Sequence, residues 1–309
     1  MQKILGLQID PLPTLNLEFD SSLYLAYEAQ KRGYSLFTYQ PKNLFYANNH
    51  LKAYGQKIAL SHEGKAYHII EETLCTLEEL DTLLIRQDPP FDQRYMANLY
   101  LLELLEHKVR ILNSPRGIKA FCEKTLPLFF PDFIPPTIIT ENAKALYDFS
   151  QQHEQLVLKP LFGHGGHGVI TLQKPSLQTL ETLLTLYHTT YPGPIIGQKF
   201  LNDILKGDKR ILLIQGEPVS IFKRHPKTGD IRSNMVQGGT AEPCDFSKRD
   251  MEICAALKPL LKQYNLSLVG IDIIGDYLME VNVTSPTGLR AAEKLYDMNL
   301  AQTFWENIP

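Results

Sequence analysis

Short apolar runs alternate along the first 120 residues with longer stretches whose apolar positions recur every three or four residues. The runs predict strands over 3–9, 36–39, 44–47, 56–60, 66–70, 82–85 and 110–113. The helical period predicts helices over 21–32 and 95–108, the first capped by Asp20 or Ser21 and stopped by Gly33. This alternation predicts an open, largely parallel sheet whose chemistry lies past the carboxyl ends of its strands. Two loops fall there, Asp10-Pro11-Leu12-Pro13 and the segment from Arg86 to Asp92. An Arg and two acids on a Pro-stiffened loop suit a charged small molecule equally well as a rigid polar turn with a local ion pair.

The pattern changes character near Ser114-Pro115-Arg116-Gly117. A helix over 118–126 would carry Glu123 and Lys124, followed by a Pro- and Phe-rich connection over 127–136. Strands are expected over 137–139, 156–160, 169–172 and 195–199, with a helix over 143–152. Antiparallel strands over 210–215 and 219–224, a long loop, a helix over 248–264 and a final hairpin complete the chain. The expected units are 1–120, 121–200 and 201–309, with no internal repeat.

The hairpin VGIDIIGDYLMEVNVTSPTG, residues 269–288, sets three oxygen-bearing side chains, Asp272, Glu280 and Asn282, in an apolar strand pattern. Glu280 and Asn282 are two apart and share a strand face, leaving Met279, Val281 and Val283 for the other. A divalent cation that prefers oxygen ligands would account for them. A two-residue turn at Gly275-Asp276 would put Asp272 opposite Met279, on the wrong face. A shared metal therefore requires a bulge or an odd loop, and a bulge is expected.

Lys159-Pro160 ends a strand and leads into LFGHGGHG, residues 161–168, and then into another strand. Neither GxxxxGK[ST] nor a helix-opening GxGxxG is present, so the two common nucleotide loops are excluded. A glycine-rich hairpin between strands lets backbone N–H groups approach phosphate oxygens, Lys159 can supply a charge, and the loop can close as a lid. His164 and His167 have no third partner in the pattern and read as incidental to metal binding. Further on, the run Lys206 to Arg210 opens a strand, Arg224 closes the next, and Arg232-Ser233-Asn234 follows in the long loop; three cations near strand ends could cradle a negative transition state, although each alone reads as a solvated surface charge.

Composition adds exclusions. A net charge of −3 gives no basic footprint for nucleic acid or an anionic membrane, and no apolar run reaches a bilayer-spanning length. The first ten residues read as a strand rather than a leader. Four scattered cysteines form no CxxC pair and read as reduced thiols in a cytoplasm.

The order Lys124, Lys159-Pro160, glycine loop, Gln198-Lys199-Phe200-Leu201, Asp208-Lys209-Arg210, then Asp272…Glu280-Val281-Asn282 resembles the ATP-grasp ligases. Asp10-Pro11 with Asp20-Ser21-Ser22, Arg86 to Asp92, Gly207 to Arg210, Gly216-Glu217-Pro218, Arg232 to Met235 and the stretch from Val269 through Thr287 carry a finer resemblance, over nearly the whole chain, to the bacterial glutathione synthetases. Two segments depart from it: the histidines of the glycine loop and a short, atypical tail after Arg290.

The resemblance implies an α/β fold of the ATP-grasp (α+β) kind. An N-terminal open βα sheet domain would hold substrate, a central domain would form the lid, and a C-terminal antiparallel domain would be catalytic. Lys124, Lys159, Gly163, Gly165, Gly166, Asp208 and Arg210 would serve the nucleotide phosphates, with Gln198, Lys199, Phe200 and Leu201 at the adenine. Arg210 and Lys159 would act in catalysis. Asp20, Ser21, Arg86, Asp88, Arg224, Arg232, Asn234, Ser285 and Thr287 would contact γ-glutamylcysteine or glycine. Asp272, Glu280 and Asn282 would hold two Mg²⁺ (or Mn²⁺) ions. The implied reaction is ATP-driven condensation of γ-glutamylcysteine with glycine in a cytoplasmic homotetramer. Another ATP-grasp amino-acid ligase, or a nucleotide-binding module without turnover, is the alternative.

Overall fold

The computed structural model describes residues 2–163, 165–191, 193–225 and 240–308. Seven strands form the first sheet: β1 (Ile4–Gln8), β2 (Ser35–Tyr39), β3 (Leu44–Ala47), β4 (His50–Ser61), β5 (Ala66–Thr76), β6 (Thr82–Ile85) and β7 (Arg110–Leu112). Their order is β3-β4-β2-β1-β6-β7, with β5 paired to β4. Only β2, β1, β6 and β7 run parallel to one another. The largely parallel sheet expected above thus holds for its middle alone. β4 and β5 are 12 and 11 residues long, far beyond the runs at 56–60 and 66–70, and the short turn His62–Gly64 between them permits only antiparallel pairing.

Helix α1 (Ser21–Lys31) is capped by the Asp20 carboxylate, which accepts from Leu23 N at 2.6 Å, and Gly33 at φ 88° lets the chain turn away. Helix α2 (Gln93–Glu103) is capped by Asp92 and ends earlier than its pattern suggested. Helix α3 (Pro115–Ala120) corrects the helix expected over 118–126. Ser114 caps it, Pro115 takes its first position, and the chain is already extended at Phe121. Glu123 and Lys124 therefore sit in a turn.

The second sheet, order β10-β9-β11-β8, is antiparallel: β8 (Thr137–Thr140), β9 (Gln155–Pro160), β10 (Ile170–Gln173) and β11 (Ile195–Lys199). Helix α4 (Ala143–Ser150) and the unanticipated α5 (Leu177–Thr190) pack on it through Leu146, Leu180, Leu184 and Tyr187. In the third sheet, β12 (Asp208–Ile214), β13 (Glu217–His225), β14 (Thr240–Pro243), β15 (Leu268–Ile274) and β16 (Tyr277–Asn282) run antiparallel in the order β14-β13-β12-β15-β16. Helix α6 (Lys248–Gln263) starts at a capping box of Ser247 and Asp250.

The tail forms α7 (Leu289–Tyr296) and α8 (Leu300–Asn307), which lie against α1. Tyr24 donates to Glu293 at 2.7 Å and Asn299 at 3.0 Å, and Trp305 Nε1 donates to Leu25 O at 2.8 Å. One apolar core runs without a break from Leu83, Leu99 and Ile118 of the first sheet region to Ile211, Ile271 and Val281 of the third.

Candidate active site

The hairpin carries the bulge expected of it. Ile274 pairs with Tyr277 and Ile273 with Leu278, then Asp272 pairs with Glu280 and Gly270 with Asn282. Met279 is the extra residue. From there the strand alternates anew, so Asp272, Glu280 and Asn282 line one cleft while Leu278, Val281 and Val283 enter the core. Met279, expected on the core face, also lines the cleft because the bulge turns it to the same side as Glu280.

The cleft has a volume of about 480 Å³ and lies where the second and third sheets meet the loop at Asp88 and the turn at Glu123. At its floor, four charges interlock. Arg210 grips Asp272 with two hydrogen bonds, Nε to Oδ1 at 2.5 Å and Nη2 to Oδ2 at 3.0 Å. Arg224 Nη2 lies 3.0 Å from the same Asp272 Oδ1 and also donates to Asp208, whose Oδ1 accepts from Nε at 3.1 Å. Strand register sets these partners: Arg210 faces Asp272 across β12–β15, and Asp208 faces Arg224 across β12–β13. Burial would raise the Asp272 carboxyl, but Arg210 and Arg224 outweigh it and hold the group well below the carboxylate range. Burial alone would lower Arg224; Asp272 and Asp208 push it up instead.

Two lysines face the hairpin. Lys159, buried on β9, has its ammonium lowered to about 8, chiefly by burial, with Glu280 opposing and Lys124 adding to the shift. Lys124 Nζ donates to the Gly163 carbonyl at the start of the glycine loop and stands 3.9 Å from Glu280. The far end of that loop is tied too, since Tyr187 donates its hydroxyl to Gly168 O. Gly163, Gly165 and Gly166 line the cleft together with Gln198, Lys199, Phe200 and Leu201. Gln198 Nε2 donates to Thr137 Oγ1 at 2.9 Å, and its buried Oε1 has no partner among the described residues. Val157, Val169, Ile204, Ile274 and Met279 give this end apolar walls that the residue pattern did not single out.

On the opposite side, Asp88, Ser285 and Thr287 line the cleft and Arg210 Nη1 donates to Thr287 O at 3.1 Å. Arg86 lies behind this wall. It donates to Ser22 Oγ at 3.1 Å and Pro286 O at 2.9 Å, and burial lowers its pKa despite Asp20. Asp20 serves as the cap of α1, and the buried Ser21 hydroxyl has no partner among the described residues. Neither residue lines the cleft, nor does Arg86. Arg232, Asn234 and His164 lie outside the described residues. Glu123, passed over in the sequence, also borders the cleft.

Among the described residues no trio of His, Cys, Asp or Glu gathers into a metal cage. The hairpin instead offers two carboxylates and an amide, the partial oxygen set that Mg²⁺ completes with water and phosphate. The set fits such an ion. Asn282 Nδ2 donates to Gly270 O at 3.2 Å and to Asp272 Oδ2 at 3.4 Å, and neither Asn282 Oδ1 nor the Glu280 carboxylate accepts a hydrogen bond among the described residues. Asp272 alone is already engaged by the arginines.

The family model for the N-terminal domain of prokaryotic glutathione synthetase matches residues 4–119, and that for its ATP-grasp domain matches residues 123–297. The chain is 40% identical to the glutathione synthetase of Brucella melitensis over 98% of this chain and 97% of that one. It is 37% identical to the glutathione synthetase of Mesorhizobium japonicum over 100% and 98%. Among solved structures it is similar in fold to the D-cycloserine synthetase DcsG, with a TM-score of 0.68 at 13% identity over 98% of this chain and 99% of that one. A RimK domain ATP-grasp protein from Sphaerobacter thermophilus gives 0.63 at 13% identity over 98% of each. The two solved structures support the fold, the curated relatives and the family models support more, and the chain belongs to the prokaryotic glutathione synthetases, ligases of the ATP-grasp fold.

Proposed function

We propose that the cleft joins the cysteinyl carboxylate of γ-glutamylcysteine to the amine of glycine at the expense of ATP, the reaction that membership of the family gives this chain. Use of ATP and a divalent metal follows from that membership. The finer assignment rests on one observation: Asp272, Glu280 and Asn282 converge on one cleft with Lys124, Lys159 and the glycine loop.

In this reading Lys124 and Lys159 hold the nucleotide phosphates and residues 163–168 cover them. The unpartnered Gln198 Oε1 accepts from the exocyclic amine of adenine between apolar walls. Glu280 and Asn282, with Asp272, hold Mg²⁺, two ions in the full complex; bound metal would neutralise phosphate charge. The dipeptide carboxylate attacks the γ-phosphorus and ADP leaves. Glycine's amine then attacks the acyl carbon, the C–O bond to phosphate breaks, and the ammonium proton passes to solvent. Arg210, at the junction of the hairpin and the Ser285–Thr287 wall, stabilises the negative charge that develops on the acyl oxygens. Asp88, Ser285, Thr287 and Arg224 face the substrates, with Arg86, Asp20 and Ser21 supporting their wall from behind. Positioning and charge neutralisation carry most of the work in such phosphoryl chemistry.

Residues 1–120 serve as the substrate unit, 121–200 as the lid and 201–309 as the catalytic unit. A cytoplasmic homotetramer belongs to the same proposal, and light scattering that reads a monomer mass removes that part. Turnover tests the rest. Purified protein with ATP and Mg²⁺ is given γ-glutamylcysteine and glycine separately and together. ADP that needs both, with glutathione identified by mass, is the expected result. ADP formed with other amino acids instead would move the substrate assignment to another amino-acid ligase.

A further inference from the structure

Among the described residues β16 is an edge strand of its sheet, and the N–H groups on its free side have no strand partner there. Glu123 supplies one. Its carbonyl accepts from Val281 N at 3.0 Å. Its Oε1 accepts from Val283 N at 3.0 Å, Thr284 N at 3.1 Å and Thr284 Oγ1 at 2.7 Å. One residue thereby fixes the backbone on both sides of Asn282 and the entry to the Ser285–Thr287 wall. Its neighbour Lys124 reaches the glycine loop at Gly163 and approaches Glu280.

A carboxylate is a costly choice for this task. Burial raises its pKa, the Thr284 and Val283 donors counter that, and the nearby Glu280 charge raises it further. An amide or a water would satisfy the same N–H groups at less cost.

We propose that Glu123 is a positioning residue for the ligase reaction, locking β16 and the loop after it in register with Lys124 so that Glu280 and Asn282 meet the metal–nucleotide complex without rearrangement. This rests on the reading of the cleft given above. The acceptor geometry at Oε1 does the locking, so Glu123→Gln, whose side-chain carbonyl can take the same three donors, keeps most of the function and Glu123→Ala does not.

Wild type, Glu123→Ala, Glu123→Gln and Thr284→Val are compared by calorimetric titration with ADP across a Mg²⁺ series, by steady-state turnover and by thermal melting. In Glu123→Ala the Mg²⁺ needed for half-maximal ADP binding is expected to rise about tenfold, as for other residues that orient metal ligands, and kcat to fall by more than KM for the dipeptide rises. Glu123→Gln should lie within about threefold of wild type, and Thr284→Val, lacking one donor, between the two. A Glu123→Ala protein with wild-type Mg²⁺ dependence overturns the proposal, and so does Glu123→Gln as impaired as Glu123→Ala. If Glu123→Ala does not fold, the comparison of Glu123→Gln with Thr284→Val decides: Thr284→Val as the more damaging change supports the lock through Oε1, and the reverse order overturns it. A wild type that binds Mg²⁺ and ADP but makes no glutathione would refute the substrate reading while the Mg²⁺ series still decides the role of Glu123.

Discussion

Glu280→Gln and Asp272→Asn remove the same charge from opposite strands of one hairpin, yet they should behave differently. Glu280 accepts no hydrogen bond among the described residues, its nearest cation is Lys124 at 3.9 Å, and its side chain is 28% exposed. Its charge contributes little to the fold, so Glu280→Gln should change stability by no more than about 0.5 kcal/mol. Turnover should nevertheless fall on the order of 100-fold, because the carboxylate proposed to face the metal is gone. Asp272 takes two hydrogen bonds from Arg210 and a contact from Arg224, all buried. Asp272→Asn leaves two buried guanidinium groups to share Asp208, and breaking a buried pair in this way costs roughly 3–5 kcal/mol. That lowers the melting temperature by on the order of 10 °C and abolishes turnover as well. Thermal melts without metal separate the two variants, and turnover with Mg²⁺ unites them. A Glu280→Gln protein with wild-type turnover would refute the metal assignment, and an Asp272→Asn protein melting like wild type would refute the structural weight given to the four-charge floor.

Three further outcomes follow from particular contacts. The lowered Lys159 ammonium, about 8 against 10.5 in the unfolded chain, means burial is most costly below pH 8 and that this cost is relieved as pH rises from 8 to 10.5. In metal-free denaturation, Lys159→Met should therefore gain stability over wild type at pH 7 by roughly 3 kcal/mol more than it does above pH 10, and a pH-independent difference would refute the shift. Gly168 sits at φ +71° with the Tyr191 ring 2.9 Å from where a Cβ would stand, so Gly168→Ala should strain the loop by about 1–2 kcal/mol and weaken ATP binding in calorimetry. Trp305→Phe should cost about 1 kcal/mol in chemical denaturation by losing the bond to Leu25 O, and Trp305→Ala about 3–5 kcal/mol by opening the contact between α8 and α1.

The hairpin was the most legible part of the chain, because strand parity is arithmetic. Turn position and residue spacing put Asp272 on the wrong face, and only an inserted residue could repair that. The glycine loop and its lysine were legible for a similar reason, since glycines between strands have few other uses. The four-charge floor was not. Each arginine reads alone as a surface cation, and its partner is set by the register of β12 against β13 and β15, which local patterns do not encode. Glu123 was missed because its partners lie 160 and 161 residues away on a strand edge. The helix around it was misplaced because its apolar spacing outweighed the Ser114-Pro115 start signal. β4 and β5 were cut short because both carry polar residues on an exposed face, which hides a strand from an apolar-run reading.

Charge balance in the cleft leads to a last prediction. Among the described residues five cationic side chains line it, Lys124, Lys159, Lys199, Arg210 and Arg224, against five carboxylates, Asp88, Glu123, Asp208, Asp272 and Glu280. The arginines are already committed to Asp208 and Asp272. The described residues of the cleft therefore offer no surplus of positive charge for a bare nucleotide. A phosphate chain entering without metal would face the Glu280 carboxylate, with Lys124 and Lys159 beside it. A nucleotide that brings divalent cations arrives close to neutral and gives Glu280 and Asn282 a partner. ATP binding measured with a chelator should thus be at least tenfold weaker than with Mg²⁺, the lower bound expected when one close opposite charge is lost from a desolvated site. Glu280→Gln should narrow that gap from both sides, improving metal-free binding by removing repulsion and weakening the Mg²⁺ complex by removing a ligand. Equal ATP affinity with and without metal in the wild type would show that the cleft gathers phosphate by its own cations, and the balance argued here would fail.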